Sequence, residues 1–178
     1  MEPIEVEILT GRERMEAITT EETLNAPIDR VWRAWTDPEQ LCPWFALRAN
    51  VVPKRGEPYE LFWDLAHPER QSTLGCRITF IQPQRWLGFT WRGPSMYDDL
   101  MNENAVPPPP PTHVAVSFAT NGKQTTVRVS HTGWLEGERW AEARAWHVRA
   151  WKAVFQNLAA FVEGRRLPVD WLARTEQG

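Results

Sequence analysis

The sequence predicts an α+β protein in which a curved antiparallel sheet wraps around one long C-terminal helix, with two short helices near the N-terminus. Three observations carry this expectation. Apolar residues recur with period two between Arg48 and Thr132. They recur with a helical period from Glu138 to Glu163. Between these signals and the N-terminus, the run APIDRVWRAWTDPEQLCPWF at residues 26–45 places aromatic rings around a single Asp-Pro break. A chain of 178 residues with 42% hydrophobic side chains is of single-domain size and can bury a substantial core.

The elements follow in order. Residues 4–9 and 17–25 alternate and are β-branched, so both read as strands, the first as an edge or a dangling arm. Pro27 suits a first helical turn, and Ile28, Val31, Trp32 and Trp35 follow at helical spacing. Asp37-Pro38 then stops this helix and caps a second, which is expected to end near Pro43. In the meander, Leu61, Phe62 and Trp63 form a strand buried on both faces. Leu74, Cys76, Ile78 and Phe80 share one face of the next. Leu87, Phe89 and Trp91, then Val114, Val116 and Phe118, then Val127, Val129 and His131 supply three more strands, the last two joined at Asn121-Gly122, a strong two-residue hairpin signal. Between Trp91 and Thr112 lies a long insertion that closes on five prolines; it reads either as a surface excursion or as a lid over a pocket mouth, with Met96, Leu100 and Met101 on one side of a brief helix.

Composition narrows the function classes. A net charge of -3 with scattered basic residues disfavours nucleic acid as a partner. Cys42 and Cys76 are far apart and are expected as reduced thiols. The acidic opening MEPIEVEILTGRERME resembles no leader, and no run reaches the ~18 apolar residues of a membrane span, so neither secretion nor membrane insertion is expected and the cytoplasm is the expected compartment.

The long helix spans roughly 39 Å at 1.5 Å per residue. On its wheel Trp140, Val148, Trp151, Phe155, Leu158 and Val162 face the sheet, flanked by His147 and Val154. Arg144 falls within this apolar sector, so it either needs an acceptor from protein or ligand or reaches water beyond the sheet. Trp146 points outward beside Ala150, Ala153, Asn157 and Ala160, a flat surface on which a second copy could pack as a homodimer.

No nucleophile elbow, phosphate loop, dinucleotide fingerprint or metal-ligand spacing is present, so no catalytic residue, metal or cofactor is assigned. His131 and His147 could converge as an acid/base pair, although a histidine on an apolar face is more often a hydrogen-bonded core residue. The architecture encloses a space between sheet and helix, in which Trp63, Trp91 and Trp151 act either as filler or as walls for a flat apolar ligand. Trp44 and Phe45 are expected at its rim.

The runs NAPIDRVWRAWTDPEQLCPWF, VRVSHTGW and EGERWAEARAWHVRAWKAVFQNLAAFVEG resemble the activator of heat shock protein ninety ATPase homologue-like branch of the START-related SRPBCC superfamily, over about residues 17–165. The resemblance implies the helix-grip (START-like, birch-pollen-allergen-like) fold and a cavity of the kind that this superfamily uses for lipids, polyketides, hormones and other amphipathic molecules. It divides the chain into an extension at 1–16, one domain at 17–165 with an insertion at 93–111, and a tail at 166–178. The leading expectation is a carrier of a small apolar or amphipathic molecule, with Trp44, Phe45, Trp63, Trp91, His131, Arg144, His147 and Trp151 as its ligand-binding residues. An enzyme acting on such a ligand, or a module that touches a chaperone or another protein, are the alternatives. Chaperone stimulation belongs to a multidomain relative, and fold alone does not transfer it.

Overall fold

A computed structural model describes residues 14–101, without the Met101 side chain, and 111–168. The strand expected at 4–9 and most of the proline run lie outside the described residues. The order is β1 (Ile18–Leu24), α1 (Ile28–Thr36), α2 (Pro38–Phe45), β2 (Arg48–Val51), β3 (Tyr59–Phe62), β4 (Ile78–Gln82), β5 (Trp86–Trp91), a 3-10 turn (Ser95–Tyr97) running into the one-turn α3 (Asp98–Met101), β6 (Thr112–Thr120), β7 (Thr125–Thr132) and α4 (Glu138–Val162). Five strands form an antiparallel sheet in the order β1-β7-β6-β5-β4, and β2 pairs with β3. Backbone bonds from Tyr59 N–H to the Cys76 carbonyl, from Thr73 N–H to Leu61 and from Trp63 N–H to Gln71 extend the second sheet toward β4. The predicted α+β sheet-on-helix architecture is therefore the observed one.

The Asp-Pro break works as the sequence implies. Asp37 ends α1, and its carboxylate accepts the Glu39 N–H at 3.0 Å to start α2 with Pro38 in the first turn. The helix then runs through Pro43 to Phe45 rather than stopping at the proline. Pro43 is exposed and near the end of the helix, so the missing donor costs one hydrogen bond in a short element. The two added residues, Trp44 and Phe45, are buried.

At the other end of the chain, α4 closes with a glycine in the left-handed region. Gly164 has φ 71°, its N–H donates to Phe161, and Arg165 N–H donates back to Ala160 at 2.7 Å. From α1, Arg30 donates to the carbonyls of Val162 (2.7 Å) and Phe161 (3.0 Å), satisfying acceptors that the helix leaves open and fixing α1 against α4.

The core is aromatic. Trp35, Trp44, Trp134, Tyr59 and Phe89 are fully buried. Trp35 packs edge-on against Trp44 at 4.9 Å and also meets Phe45, Phe118 and Phe155. Most buried polar atoms are satisfied: the Tyr59 hydroxyl donates to Trp35 O at 2.9 Å, and Trp44 Nε1–H to Ala34 O at 3.0 Å. The Trp35 indole N–H is buried without an acceptor among the described residues, a cost carried for ring packing.

Four expectations are corrected. Leu74 is exposed because β4 begins only at Ile78. Phe80 leaves the core face because a β-bulge falls between Ile78 and Phe80 and inverts the alternation. Its ring covers Gly88 on the outer face and stacks 5.8 Å from His113. On α4 the buried stripe runs Trp140, Ala143, His147, Trp151, Val154, Leu158, so Val148, one 100° step past His147, is exposed. Asn157 and Ala160, expected on an outer packing surface, are buried, and Asn157 donates to Trp44 O at 3.3 Å.

Candidate functional site: an aromatic cavity beside the long helix

The large rings fill the space directly between the sheet and α4. What remains is a cavity of about 540 Å³ displaced to one flank of the helix, open toward solvent. Its walls come from five places in the chain: Phe45 at the end of α2, Trp63 just after β3, Gln71 in the segment before β4, Trp91 to Pro94 at the end of β5, and the α4 face from Trp146 to Val154. No residue of β1, β6 or β7 contributes to the lining. The volume is of the order that a drug-sized ligand occupies.

Each wall residue has a structural cause. Trp63 is held by donation from its Nε1–H to Phe45 O at 2.6 Å. Phe45 stacks near Trp91 at 6.1 Å and meets Trp63 edge-on at 5.9 Å and Trp151 at 5.8 Å. Trp91 and Trp151 lie 5.7 Å apart and form the floor. Ala150 and Ala153 supply the opening by being small: on α4 the stripe Trp146, Ala150, Ala153 lies along the cavity.

Behind the floor lies a directed hydrogen-bond chain. Trp151 Nε1–H donates to His131 Nδ1 at 3.1 Å, and the other His131 nitrogen meets Thr112 Oγ1 at 2.9 Å. The Thr112 hydroxyl donates to Trp91 O at 3.0 Å. Trp91 Nε1–H donates to His147 Nε2 at 3.1 Å, and His147 Nδ1 contacts Ala143 O at 2.7 Å. An indole can only donate and a carbonyl can only accept. Hence His147 is protonated on Nδ1, His131 on Nε2, and both rings are neutral. Burial holds the His131 pKa well below the usual imidazole value, with the nearby His147 and His113 adding to the effect, and lowers that of His147 to about 4. The two rings are 5.4 Å apart, so neither can accept a proton without a charge in a dry aromatic surround. His147 touches the cavity, yet both its nitrogens are engaged, so this pair serves as a packing relay and offers no free base.

The mouth is bordered by Gln71, Arg92 and Arg149. Arg92 pairs with Asp98 at 3.1 Å. Residues 95–101 form a strap against α4: Tyr97 is buried against Trp146 (6.2 Å) and His147 (6.3 Å). Arg139 donates to Met96 O (2.8 Å) and to Asp99 (3.0 Å) while sitting 5.3 Å from the Tyr97 ring centre. The anchor of this segment is thus Tyr97; Met96, expected on the apolar side, is exposed.

Of the residues singled out from the sequence, Phe45, Trp63, Trp91, His147 and Trp151 meet in the cavity wall. Trp44 sits one layer deeper, stacked on Phe45 at 4.9 Å. His131 lies behind Trp91 and Trp151. Arg144 is placed elsewhere: it donates to the carbonyls of Glu16 (2.9 Å) and Ala17 (3.4 Å), tying α4 to the chain entering β1. Gln71, Arg92 and Pro94 were not singled out, because the irregular backbone before β4 and after β5 gives no periodic signal, and Arg149 was not because an exposed arginine on α4 is an ordinary surface feature; Val154, read at the flank of the sheet-facing stripe, lines the cavity. Trp146, Ala150 and Ala153, read as a surface for a second copy, line the cavity. Among the described residues no cluster of His, Cys, Asp or Glu could hold a metal ion, and no helix is long and apolar enough to cross a membrane. Both cysteines are free thiols.

A helix gripped by an antiparallel sheet, with a ligand-sized aromatic cavity at its flank, defines a protein of the helix-grip class. Within that class the sequence profile described as Activator of Hsp90 ATPase homolog 1-like protein matches residues 25–163, and the chain belongs to that family. Solved structures share the fold. A Bordetella parapertussis protein is 24% identical with a TM-score of 0.62, over 93% of this chain and 85% of its own. A Mesorhizobium loti protein is 17% identical with a TM-score of 0.63, over 85% and 99%. A protein described as the Aha1 dimer from Colwellia psychrerythraea is 18% identical with a TM-score of 0.60, over 84% and 97%. No functionally curated relative matches the chain in sequence.

Proposed function

We propose that this protein binds a small apolar or amphipathic molecule in the flank cavity and holds or delivers it without chemical change. The observation that carries this reading is the cavity itself: about 540 Å³ lined by Phe45, Trp63, Trp91, Trp146 and Trp151. Rings of this size can close a gap, and in the core around Trp35 they do; beside Ala150 and Ala153 they leave one open. The neutral, fully engaged histidines support carriage over catalysis, because an acid/base step needs a lone pair aimed at the ligand.

The test is a plug. Ala153 is half-buried on α4 with the cavity beside it, so Ala153→Trp fills the space without breaking a hydrogen bond. Binding to the native state alone stabilises it by mass action, by about 2.7 kcal/mol at a hundred times Kd, and so raises the melting temperature. The neutral dye N-phenyl-1-naphthylamine is expected to quench tryptophan fluorescence and to raise Tm by several degrees in the wild type. Ala153→Trp is expected to melt at or above the wild-type temperature and to lose at least about ten-fold in dye affinity. Equal dye binding by a folded plugged variant would remove the cavity as the binding site.

A further inference from the structure

The charge at the cavity mouth has one sign. Arg92 and Arg149 both line the cavity, and no Asp or Glu does. Arg149 is exposed and, among the described residues, makes no salt bridge or hydrogen bond, whereas Arg92 shares its charge with Asp98. Deeper in, every wall is aromatic or aliphatic apart from His147. That ring is neutral and has both nitrogens occupied by Trp91 and Ala143. Polarity is therefore graded along the cavity, apolar at the floor and cationic at the opening.

We infer that the ligand is an amphipathic anion: a flat aromatic or acyl body lodged between Phe45, Trp63, Trp91 and Trp151, with a carboxylate, sulfate or phosphate head at the mouth against Arg149 and Arg92. This rests on the carrier reading above and adds the charge and orientation of the occupant. Three physical arguments support it. A guanidinium presents a planar fork that matches such oxyanions in two-point contact, and Arg149 holds its fork free. Gln71 stands at the same rim with its amide, whose Nε2–H is only weakly engaged by Ser95 Oγ at 3.4 Å. Rings alone would also suit a quaternary ammonium through cation–π contact, but two guanidiniums at the opening and no carboxylate in the lining disfavour a cationic head.

Two dyes with one skeleton separate the head from the body. N-phenyl-1-naphthylamine is neutral, and 8-anilino-1-naphthalenesulfonate adds a sulfonate. The sulfonate makes the molecule more water-soluble, so a purely apolar site binds it more weakly. The expected result is the reverse: the sulfonate dye binds about ten-fold tighter than the neutral one, and the advantage shrinks as salt rises. Arg149→Gln is expected to weaken the sulfonate dye about five-fold to ten-fold and to leave the neutral dye unchanged, with Arg92→Gln adding to the loss. Arg85→Gln, at the far end of β5 from Trp91, is the control and should alter neither. Neutral dye bound as tightly as or tighter than the sulfonate, or sulfonate binding indifferent to Arg149→Gln, would overturn the anionic head while leaving the carrier reading intact. Failure of both dyes to bind would overturn the two together.

Discussion

The melting temperature is expected to fall steeply between pH 6.5 and pH 4, with the two buried histidines as the cause. In the folded protein His147 titrates near 4 rather than at its ordinary 6.5, and His131 is held well below that value, in both cases because burial opposes the imidazolium. Above pH 6.5 neither the folded nor the unfolded chain protonates these rings, and stability is fully present. As pH drops through 6.5 the unfolded chain takes up protons that the folded chain refuses, so stability declines until the folded pKa is reached. For His147 a depression of this size amounts to about 3 kcal/mol, which at this chain length is roughly 10 °C of melting temperature. His131 adds a second loss over the same range. Asp99, held low by hydrogen bonding to Arg139, and Glu163, held low by the Asn25 N–H and Arg165, act at more acid pH. His131→Gln combined with His147→Gln should lower Tm at pH 7.5 yet flatten the profile between pH 6.5 and 4.5. Calorimetry across this range checks the assignment; a flat wild-type profile, or an equally steep one in the double variant, contradicts it.

Trp91 is expected to be the costliest single position at the site. Its ring is buried among Phe45, Trp63, Phe89, His131, His147 and Trp151, and its N–H is the donor that fixes the His147 tautomer. Trp91→Ala removes the floor and leaves His147 Nε2 without its donor, so a loss of about 3–5 kcal/mol is expected from denaturant melts. Trp91→Phe keeps most of the apolar surface and loses the donor alone, for about 1–3 kcal/mol. The phenylalanine variant carries a further signature. Donation to Nε2 favours the neutral imidazole, so its loss raises the folded His147 pKa toward its unfolded value, and the loss of stability on acidification becomes smaller and ends at a higher pH. A Trp91→Ala cost below about 1 kcal/mol, or a Trp91→Phe acid loss of stability as large as the wild type's, contradicts the relay.

The fold was legible because its signals are periodic and punctuated. Asp37-Pro38, Asn121-Gly122 and Gly164 mark ends with side-chain chemistry specific to each, and the alternation in Val114–Phe118 and Val127–His131 needs only the pleat to be read. What was misread follows from local departures that no period encodes. The bulge between Ile78 and Phe80 inverts one face of β4, and a rotation of the α4 stripe by one step exchanges Val148 for His147. The site was legible by composition and less so by place. Rings at 45, 63, 91 and 151 could be nominated as walls because aromatic residues on inward faces converge. Arg149, Gln71 and the alanines that make the opening could not, since exposed arginine and small helical residues are ordinary surface features until a cavity is seen beside them. Arg144 was nominated by its sector on the wheel, but the wheel cannot show that its long stem reaches the carbonyls before β1.

The central claim, an unfilled aromatic cavity that takes an apolar body, is tested most directly by following the indole N–H resonances of the eleven tryptophans during titration with N-phenyl-1-naphthylamine. The account predicts saturable shifts for Trp63, Trp91, Trp146 and Trp151, which line the cavity, with Trp44 and Trp134 nearly unmoved in the filled core. Shifts confined to indoles remote from the cavity, such as exposed Trp86, or no saturable shift at all, would contradict it.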